Sequence, residues 1–285
     1  MSIKPAEFLK NILIKVATAC ARAFCAVPII RKLYLLVSAR HRPVTAVKNG
    51  AHTFLFFTPT FTPYWRAMTL FTKEPETIKW IDGFSPDDVL YDIGANVGTY
   101  TVYAAVTGKT KAVLAFEPES QNFALLNENV YLNDLQDKVT CINIALSNVN
   151  KLDFLYLSEF TPGMAIHSFG KPINHLRRPT KSAFKQGVIS FTLDRFIEMY
   201  NPEFPSHIKI DVDGLEKEII EGARNTLSDR RLKSLLVEIN EELKEDLKLI
   251  EDLRALGFDV KYRGHAPMFD TGPFSKVFNY IFVRK

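Results

Sequence analysis

Residues 89–100 read VLYDIGANVGTY, an apolar run that ends in an acid and continues into a turn bracketed by two glycines. This order is typical of a β-strand, a tight loop and the start of a helix. Glycine permits the backbone geometry that such a turn needs, and the first amides of the helix have no partner within it. The stretch therefore predicts an α/β fold with a small-molecule site at the tip of its first core strand.

The spacing within the turn indicates the kind of ligand. A dinucleotide fingerprint is G-x-G-x-x-G, whereas this turn has Asn96 two residues after Gly94. Its pattern is instead D-x-G-x-x-x-G, from Asp92 to Gly98. That pattern suits a nucleoside ligand without phosphates, such as S-adenosylmethionine. We expect Asp92, Gly94, Asn96 and Gly98 to belong to its binding site.

Two further strands extend this site. Residues 112–116 form an apolar run followed by Glu117, which lies 23 positions after Gly94 and near the roughly 20-residue offset of a ribose-binding carboxylate. We expect Glu117 to accept hydrogen bonds from both ribose hydroxyls. A third strand is predicted at 139–146, with Asn143 and Ala145 on the wall beside the adenine.

Acids also follow the next two predicted strands. Residues 207–210 lead to Asp211 and Asp213, and the strand 235–240 contains Glu238. Ligands bind at the carboxyl ends of parallel strands, so these acids should face one crevice. Asp211 is the first candidate for orienting the reacting groups and is also expected to contact the cofactor. Asp213 and Glu238 are the alternative catalytic bases.

Two alternatives to a carboxylate base are a bound metal ion and a histidine base. Asp211, Asp213 and Glu216 could together hold Mg²⁺, because that ion prefers oxygen ligands, but the main interpretation has no metal. His167, in the segment 158–187, is another candidate base. That segment has little periodicity and is predicted to be a long substrate loop. Its basic cluster could contact an anionic or sugar-like substrate, and consists of His175, Arg177, Arg178, Lys181 and Lys185.

The composition is that of an ordinary globular protein, with 47% hydrophobic and 24% charged residues. At 285 residues the chain is long enough for one full α/β domain and an N-terminal appendage. Its three cysteines contain no C-x-x-C pattern, so neither disulfides nor a zinc site is indicated. A reducing compartment, the cytoplasm, is the simplest expectation.

The N-terminal part is strongly basic. Residues 1–73 contain eleven Lys or Arg and one acid, Glu7. The segment 4–26 predicts an amphipathic helix with a narrow basic face, including Lys4, and a broad apolar face. Its uncharged runs are shorter than the ~18 residues of a membrane span. The helix is expected to lie on an anionic membrane surface or to pack on its own domain or a second subunit. No nucleic acid partner is expected.

Four motifs resemble the FkbM family of class I S-adenosylmethionine-dependent methyltransferases: DIGANVG at 92–98, FEP at 116–118, ALS at 145–147 and KIDVDGLE at 209–216. The resemblance covers roughly residues 74–285. It implies O-methylation of a hydroxyl on a sugar, glycolipid or natural product, with a small-molecule, glycan or lipid-linked acceptor. The family's usual D-V-E-G is D-V-D-G here, so the carboxylate of Asp213 is one methylene shorter.

The predicted architecture follows from these elements. Residues 1–50 form a basic helical arm, and 51–285 form a Rossmann-like methyltransferase domain with an accessory hairpin at 51–73. Strands at 258–262 and 279–283 complete a seven-stranded, mostly parallel sheet with an antiparallel edge strand. Two other functions remain open at this point: a nicotinamide-dependent oxidoreductase, which Asn96 disfavours, and a non-catalytic membrane-associated scaffold, which the acids at the strand tips disfavour.

Overall fold

The computed structural model describes residues 5–40 and 42–285, so Lys4 lies outside the described part. The chain divides into two compact units, Met1–Pro43 and Val44–Lys285. The second unit begins before the expected position 51, because residues 44–49 pair with residues 52–57 in an antiparallel hairpin. The hairpin expected at 51–73 therefore starts earlier, and a helix follows it.

The first unit consists of two helices, α1 (Pro5–Cys25) and α2 (Pro28–Arg40). The sequence predicted the first of them. Proline is well tolerated in the first turn of a helix, which is where Pro28 begins α2. Within the described part of the chain, no single helix is long and apolar enough to span a membrane. The helical segments Asn11–Cys25 and Pro28–Ser38 are long and apolar enough only when they are taken together. The chain bends by 111° at the break between them.

The second unit contains most of the regular structure. Its strands are β1 (Val44–Asn49), β2 (His52–Phe57), β3 (Val89–Ile93), β4 (Ala112–Phe116), β5 (Val139–Ile142), β6 (Ala145–Leu146), β7 (Lys151–Leu157), β8 (Ser168–Phe169), β9 (Phe184–Phe191), β10 (His207–Ile210), β11 (Ser234–Asn240), β12 (Phe258–Gly264) and β13 (Val277–Arg284). Its α-helices are α3 (Phe61–Met68), α4 (Pro75–Asp82), α5 (Thr99–Val106), α6 (Ser120–Leu132), α7 (Leu193–Tyr200), α8 (Glu216–Glu221), α9 (Arg224–Ser228) and α10 (Lys244–Ala255). A 3₁₀ turn spans Pro267–Phe269.

The main sheet has seven strands in the order β12-β13-β11-β10-β3-β4-β5. The pairs from β11 through β5 are parallel, and β13 runs antiparallel to both β11 and β12. This confirms the predicted fold class, with the antiparallel strand one position in from the edge. Helices cover both faces, so alternate residues of β3 enter opposite cores: Leu90 joins one, and Tyr91 joins the other.

The hairpin of β1 and β2 belongs to this body. Phe54 and Phe56 of β2 are buried in the core beside α5, and the Phe54 ring stacks on Tyr103 with centroids 5.4 Å apart. Side-chain oxygens of α6 and its C-terminus accept the β2 amides of Phe57 and Leu55. The hairpin is thus packed as part of the core and not as a separate lid.

The strand predicted at 139–146 is two strands. Residues 139–142 form β5 in the main sheet, whereas 145–146 form β6 in a second sheet of order β6-β9-β7-β8. The chain turns at Asn143, whose amide donates to the backbone oxygens of Glu117 and Pro118 at 2.8 and 3.1 Å. In addition, β9 begins at Phe184, so the loop expected over 158–187 ends earlier and contains β8.

A buried histidine joins β10 to the start of β3. The His207 ring stacks on Phe84 with centroids 3.7 Å apart. Its Nδ1 lies 2.7 Å from Ser234 Oγ, and its Nε2 lies 2.9 Å from Asp88 Oδ2. Burial lowers the pKa of His207 to about 4, against a partly compensating effect of Asp88. The imidazole is therefore neutral in the folded protein at neutral pH.

We expect the wild-type protein to lose more stability than His207→Gln between pH 7 and pH 5. In the unfolded chain the imidazole binds a proton near its ordinary pKa of about 6.5, whereas the folded pKa of about 4 keeps it neutral, so acid favours unfolding across that window. The two profiles should diverge by about 2 kcal/mol at pH 5. Urea unfolding at both pH values measures this, and parallel profiles would contradict it.

Candidate active site

The glycine turn after β3 is held against two neighbouring strands. The amides of Gly94 and Ala95 both donate to the backbone oxygen of Phe116, each at 3.0 Å. Gly94 has φ +80°, and a Cβ on it would lie 2.0 Å from the backbone oxygen of Asp211. Only glycine fits here. Gly98 instead faces the core, where a Cβ would lie 2.4 Å from Leu126, so it shapes the turn without lining a cavity.

Two adjoining cavities open at this edge of the sheet. The apolar cavity lies toward β4 and is lined by residues that include Ile93, Phe116, Glu117, Pro118, Asn122, Ile144, Ala145, Leu146, His167 and Phe169. The carboxylate cavity lies toward β11 and is lined by residues that include Arg66, Lys73, Glu74, Glu76, Glu238, His265, Phe269, Phe274 and Asn279. Gly94, Asn96, Ala165, Asp211 and Asp213 line both.

Glu117 lies at the predicted position, in the apolar cavity. Its side chain is nearly buried, and its two oxygens accept the amides of Asn96 and Glu119, each at 2.8 Å. Burial raises the pKa of Glu117 to about 7, although both amides stabilise the charged form. A carboxylate oxygen has two lone pairs, so each oxygen keeps one for a ligand hydroxyl.

Ala145 also lines the apolar cavity, whereas the Asn143 amide is engaged by the backbone at the tip of β4. Asn143 therefore fixes the position of the wall.

Asp92 lies behind the turn and does not line either cavity. It is 1% exposed, and its Oδ2 accepts a hydrogen bond of 2.6 Å from Thr101. Its Oδ1 lies 3.9 Å from the ammonium of Lys209, which in turn lies 2.8 Å from Asp211 Oδ2. Lys209 is thus buried between two carboxylates, and Asp92 acts on the cleft through it. The sequence signal was a lysine within the apolar strand β10.

The three predicted catalytic acids meet at the carboxylate cavity, but their pKa values are not all shifted in the same direction. Burial alone would raise the pKa of Asp211, but the ammonium groups of Lys209 and Lys73 hold it at about 2. Burial and the charge of Asp211 raise the pKa of Asp213. Burial and the charges of Asp211 and Asp213 raise the pKa of Glu238 well above its ordinary value. Such separation of neighbouring pKa values is common in catalytic sites.

Glu216 does not line the cavity with Asp211 and Asp213, the other two acids of the possible Mg²⁺ site. Its Oε1 accepts the amides of Val212 and Gly214 at 3.1 and 3.2 Å, so it closes the turn after β10. Burial raises the pKa of Glu216 to about 8. Among residues 5–40 and 42–285, no group of three or more His, Cys, Asp or Glu side chains is placed to hold a metal ion. The structure does not assemble the three-carboxylate cluster.

A strap, defined here as residues 163–167, crosses both cavities. The Gly163 oxygen accepts Arg66 Nε at 2.7 Å, and the Gly163 amide donates to Asn122 Oδ1 at 2.7 Å. The side-chain amides of Asn96 and Asn122 both donate to the backbone oxygen of Met164, at 2.9 and 3.0 Å. Asn96 therefore binds the strap through its side chain and Glu117 through its backbone.

The strap is also bonded to the turn after β10. The Ile166 amide donates to Asp213 Oδ2 at 2.7 Å, and Ile166 has φ +62°. A β-branched residue rarely adopts this conformation, which persists only where its surroundings impose it. His167 follows and lines the apolar cavity, where burial lowers its pKa. It is therefore a neutral group on the side of the cleft away from Glu238.

The basic cluster of the loop does not form one site. Arg177 lies 2.9 Å from Glu245 and 3.2 Å from Asp246, which ties the loop to α10. The Lys185 ammonium lies 3.6 Å from the centre of the Phe154 ring. None of the five side chains lines either cavity. Arg66 and Lys73 instead line the carboxylate cavity, and the buried Lys209 contacts Asp211 behind it.

Several cavity residues carried no clear signal in the sequence. Lys73 and Glu74 form an ion pair of 2.5 Å just before α4. Burial alone would lower the pKa of Lys73, but Glu74 and Asp211 raise it. Asn279 comes from the last strand. No local pattern in the sequence marks these residues as neighbours, because Lys73 and Asn279 are about two hundred positions apart.

The strand order, the glycine turn and the acids at the strand tips define a class I methyltransferase. A sequence profile of the methyltransferase FkbM domain matches residues 92–263. The chain belongs to the FkbM methyltransferase family, whose cofactor is S-adenosylmethionine. This assignment overturns the oxidoreductase alternative.

Individual similarities are more distant. The hexuronic acid methyltransferase AglP of Haloferax volcanii is 23% identical over 190 residues, which are 67% of this chain and 72% of that protein. A tRNA(Phe) (4-demethylwyosine(37)-C(7)) aminocarboxypropyltransferase of Pyrococcus horikoshii is 32% identical over 69 residues, 24% of each chain. The crystal structure of an FkbM methyltransferase from Methylobacillus flagellatus is 16% identical with a TM-score of 0.49, over 70% of this chain and 44% of that one.

Proposed function

We propose that this methyltransferase methylates a hydroxyl oxygen of a sugar, either free or within a glycolipid. The observation that carries this proposal is the carboxylate cavity, in which Glu238 makes no side-chain hydrogen bond within the described residues and has a raised pKa beside the ionised Asp211. Carboxyl groups accept hydrogen bonds from hydroxyls, which are the polar groups of sugars. The similarity to a hexuronic acid methyltransferase supports a sugar acceptor.

The residues of the cleft fit S-adenosylmethionine. Glu117 offers one free lone pair on each oxygen to the ribose hydroxyls. Ile144, Ala145 and Leu146 offer an apolar wall to the adenine. The ionised carboxylate of Asp211 offers a negative charge to the cationic part of the cofactor. Gly94 and Asn96, which line both cavities, would contact it between these ends.

The three acids at the carboxylate cavity have different proposed roles in methyl transfer. The bound cofactor supplies an electrophilic methyl group, so the protein has to hold a hydroxyl beside it and accept the hydroxyl proton. A carboxylate with a pKa near 2 is a weak base, so Asp211 orients the reactants and remains charged. Glu238, with its raised pKa, is the proposed proton acceptor. The cationic sulfonium would favour its charged form when the cofactor binds. Asp213 holds the strap.

We further infer that the first unit binds an anionic membrane surface, where a lipid-linked acceptor would be found. Residues 1–43 contain eight Lys or Arg and one acid. Most of their described apolar side chains are exposed on both helices, among them Leu13 at 60%, Phe24 at 65% and Leu33 at 64%. Apolar burial and roughly 1 kcal/mol per basic residue near an anionic leaflet together support stable binding.

We expect Glu238→Gln to lower turnover at least 10²-fold, because the amide cannot accept the proton. Affinity for S-adenosylmethionine should stay within a few-fold of wild type. The measurement is transfer of a labelled methyl group from S-adenosylmethionine to a panel of methyl glycosides of hexoses and hexuronic acids. Glu242→Gln, on an exposed neighbouring residue, is the matched control. Wild-type turnover in Glu238→Gln would exclude Glu238 as the base.

Glu117→Ala should weaken S-adenosylmethionine binding by about 2–3 kcal/mol, roughly 30- to 150-fold, because two charge-assisted hydrogen bonds to the ribose are lost. Isothermal titration calorimetry gives this value directly. Asp137→Ala, at an exposed site of the same unit, should bind as wild type does. An unchanged affinity in Glu117→Ala would remove Glu117 from the ribose site.

The full-length protein should sediment with vesicles that contain phosphatidylserine, more strongly at low salt. Leu13→Glu combined with Leu33→Glu should abolish sedimentation without changing the melting temperature, because both side chains are exposed on the helices of the first unit. Leu152→Glu changes a leucine of the second unit that is even more exposed, at 76%, and should have no effect. Failure of the full-length protein to sediment at low salt would refute membrane binding.

A further inference from the structure

Glu76 is a buried carboxyl group at the cavity that the reaction described above does not use. It lies in the first turn of α4, is 4% exposed and lines the carboxylate cavity. Its Oε1 accepts a hydrogen bond of 2.8 Å from Asn279 Nδ2. Its Oε2 is buried without a hydrogen-bond partner among the described residues. Burying an unpaired carboxylate oxygen is unfavourable, so a ligand group at this position would satisfy it.

The pair of Glu76 and Asn279 stands beside the proposed base. Asn279 of β13 is the direct partner of Glu238 on β11 in the antiparallel ladder. Directly opposite residues of such a pair point to the same face, with Cβ atoms about 5 Å apart. A group bound at Glu76 is therefore a near neighbour of a group held at Glu238.

The chemistry of Glu76 favours a hydroxyl at this position. Burial raises the pKa of Glu76, and the hydrogen bond from Asn279 opposes this shift. A hydroxyl both donates and accepts, so it pairs with either protonation state of a carboxyl group. A carboxylate would be repelled by Glu76 when both are ionised, and an ammonium would pair only with the ionised form. The side-chain amide of Asn279 donates to Oε1 of Glu76, so Oε2 of Glu76 is the oxygen that can bind the ligand.

We propose that Glu76, positioned by Asn279, is a specificity-determining residue that binds a second hydroxyl of the sugar, so that the cavity selects acceptors by a hydroxyl other than the one methylated. The proposal rests on the proposed sugar methylation. It assigns two hydroxyls of the sugar to two carboxyl groups: Glu238 takes the proton of the methylated one, and Glu76 Oε2 binds the second. An acceptor that lacks the second hydroxyl leaves Glu76 Oε2 unpaired and should bind poorly.

The test measures binding separately from methyl transfer. Methyl glycosides of glucose, galactose, mannose and glucuronic acid, with their monodeoxy analogues, are titrated into the full-length protein saturated with S-adenosylhomocysteine, and affinities are taken from ligand-observed NMR. For the best parent glycoside, removal of one particular hydroxyl should weaken binding to wild type roughly 10-fold or more. Glu76→Met, which keeps the length of the side chain, should weaken the parent glycoside similarly.

Removal of that hydroxyl from the glycoside and the substitution Glu76→Met eliminate the same hydrogen bond, so their effects on affinity should not add. The Glu76→Met protein should therefore bind the parent glycoside and that deoxy analogue equally. Glu242→Met is the control and should retain the wild-type difference. The proposal is overturned if no monodeoxy analogue differs from its parent on wild type, a result that needs no variant. It is also overturned if no glycoside binds, or if Glu76→Met still discriminates. Hydroxyl-dependent binding through Glu76 without methyl transfer would sustain this inference and refute the proposed reaction.

Discussion

The contact between the turn at Gly94 and the backbone oxygen of Asp211 is the constraint on which the cleft depends. A Cβ at Gly94 would lie 2.0 Å from that oxygen, so the tips of β3 and β10 meet only because residue 94 has no side chain. The same turn donates two amides to the tip of β4. One glycine therefore brings the ends of three strands together, and Glu117 and Asp211 reach the cleft from two of them.

The charge pattern of the cleft follows from buried ammonium groups, chiefly that of Lys209. Burial alone would lower the pKa of Lys209, but Asp211 and Asp92 raise it, so the lysine stays charged. It fixes the negative charge on Asp211, and that charge raises the pKa of Asp213 and Glu238. Neighbouring carboxyl groups with opposite shifts can take different roles, one as a permanent charge and one as a proton acceptor.

Closure of the cleft depends on residues that are far apart in the chain. Arg66 of α3, Asn96 of the glycine turn, Asn122 of α6 and Asp213 each bind the strap through a side chain. Together they hold Ile166 at φ +62°, a conformation that isoleucine would not adopt alone. Asn96 and Asp213 were expected at the cofactor and at the methyl group, and the structure gives both a structural bond to the strap as well.

The sequence alone determined the parallel sheet, the position of the glycine turn and the acids at the strand tips, because local periodicity and glycine spacing are properties of short segments. Tertiary structure decided what each acid does. Asp92 is paired behind the turn, Glu216 closes a loop, and Asn143 ends β5 early, since burial and hydrogen bonding involve partners from distant segments. The opposite wall of the cleft, from Lys73 to Asn279, joins residues about two hundred positions apart, and no local pattern in the sequence connects them.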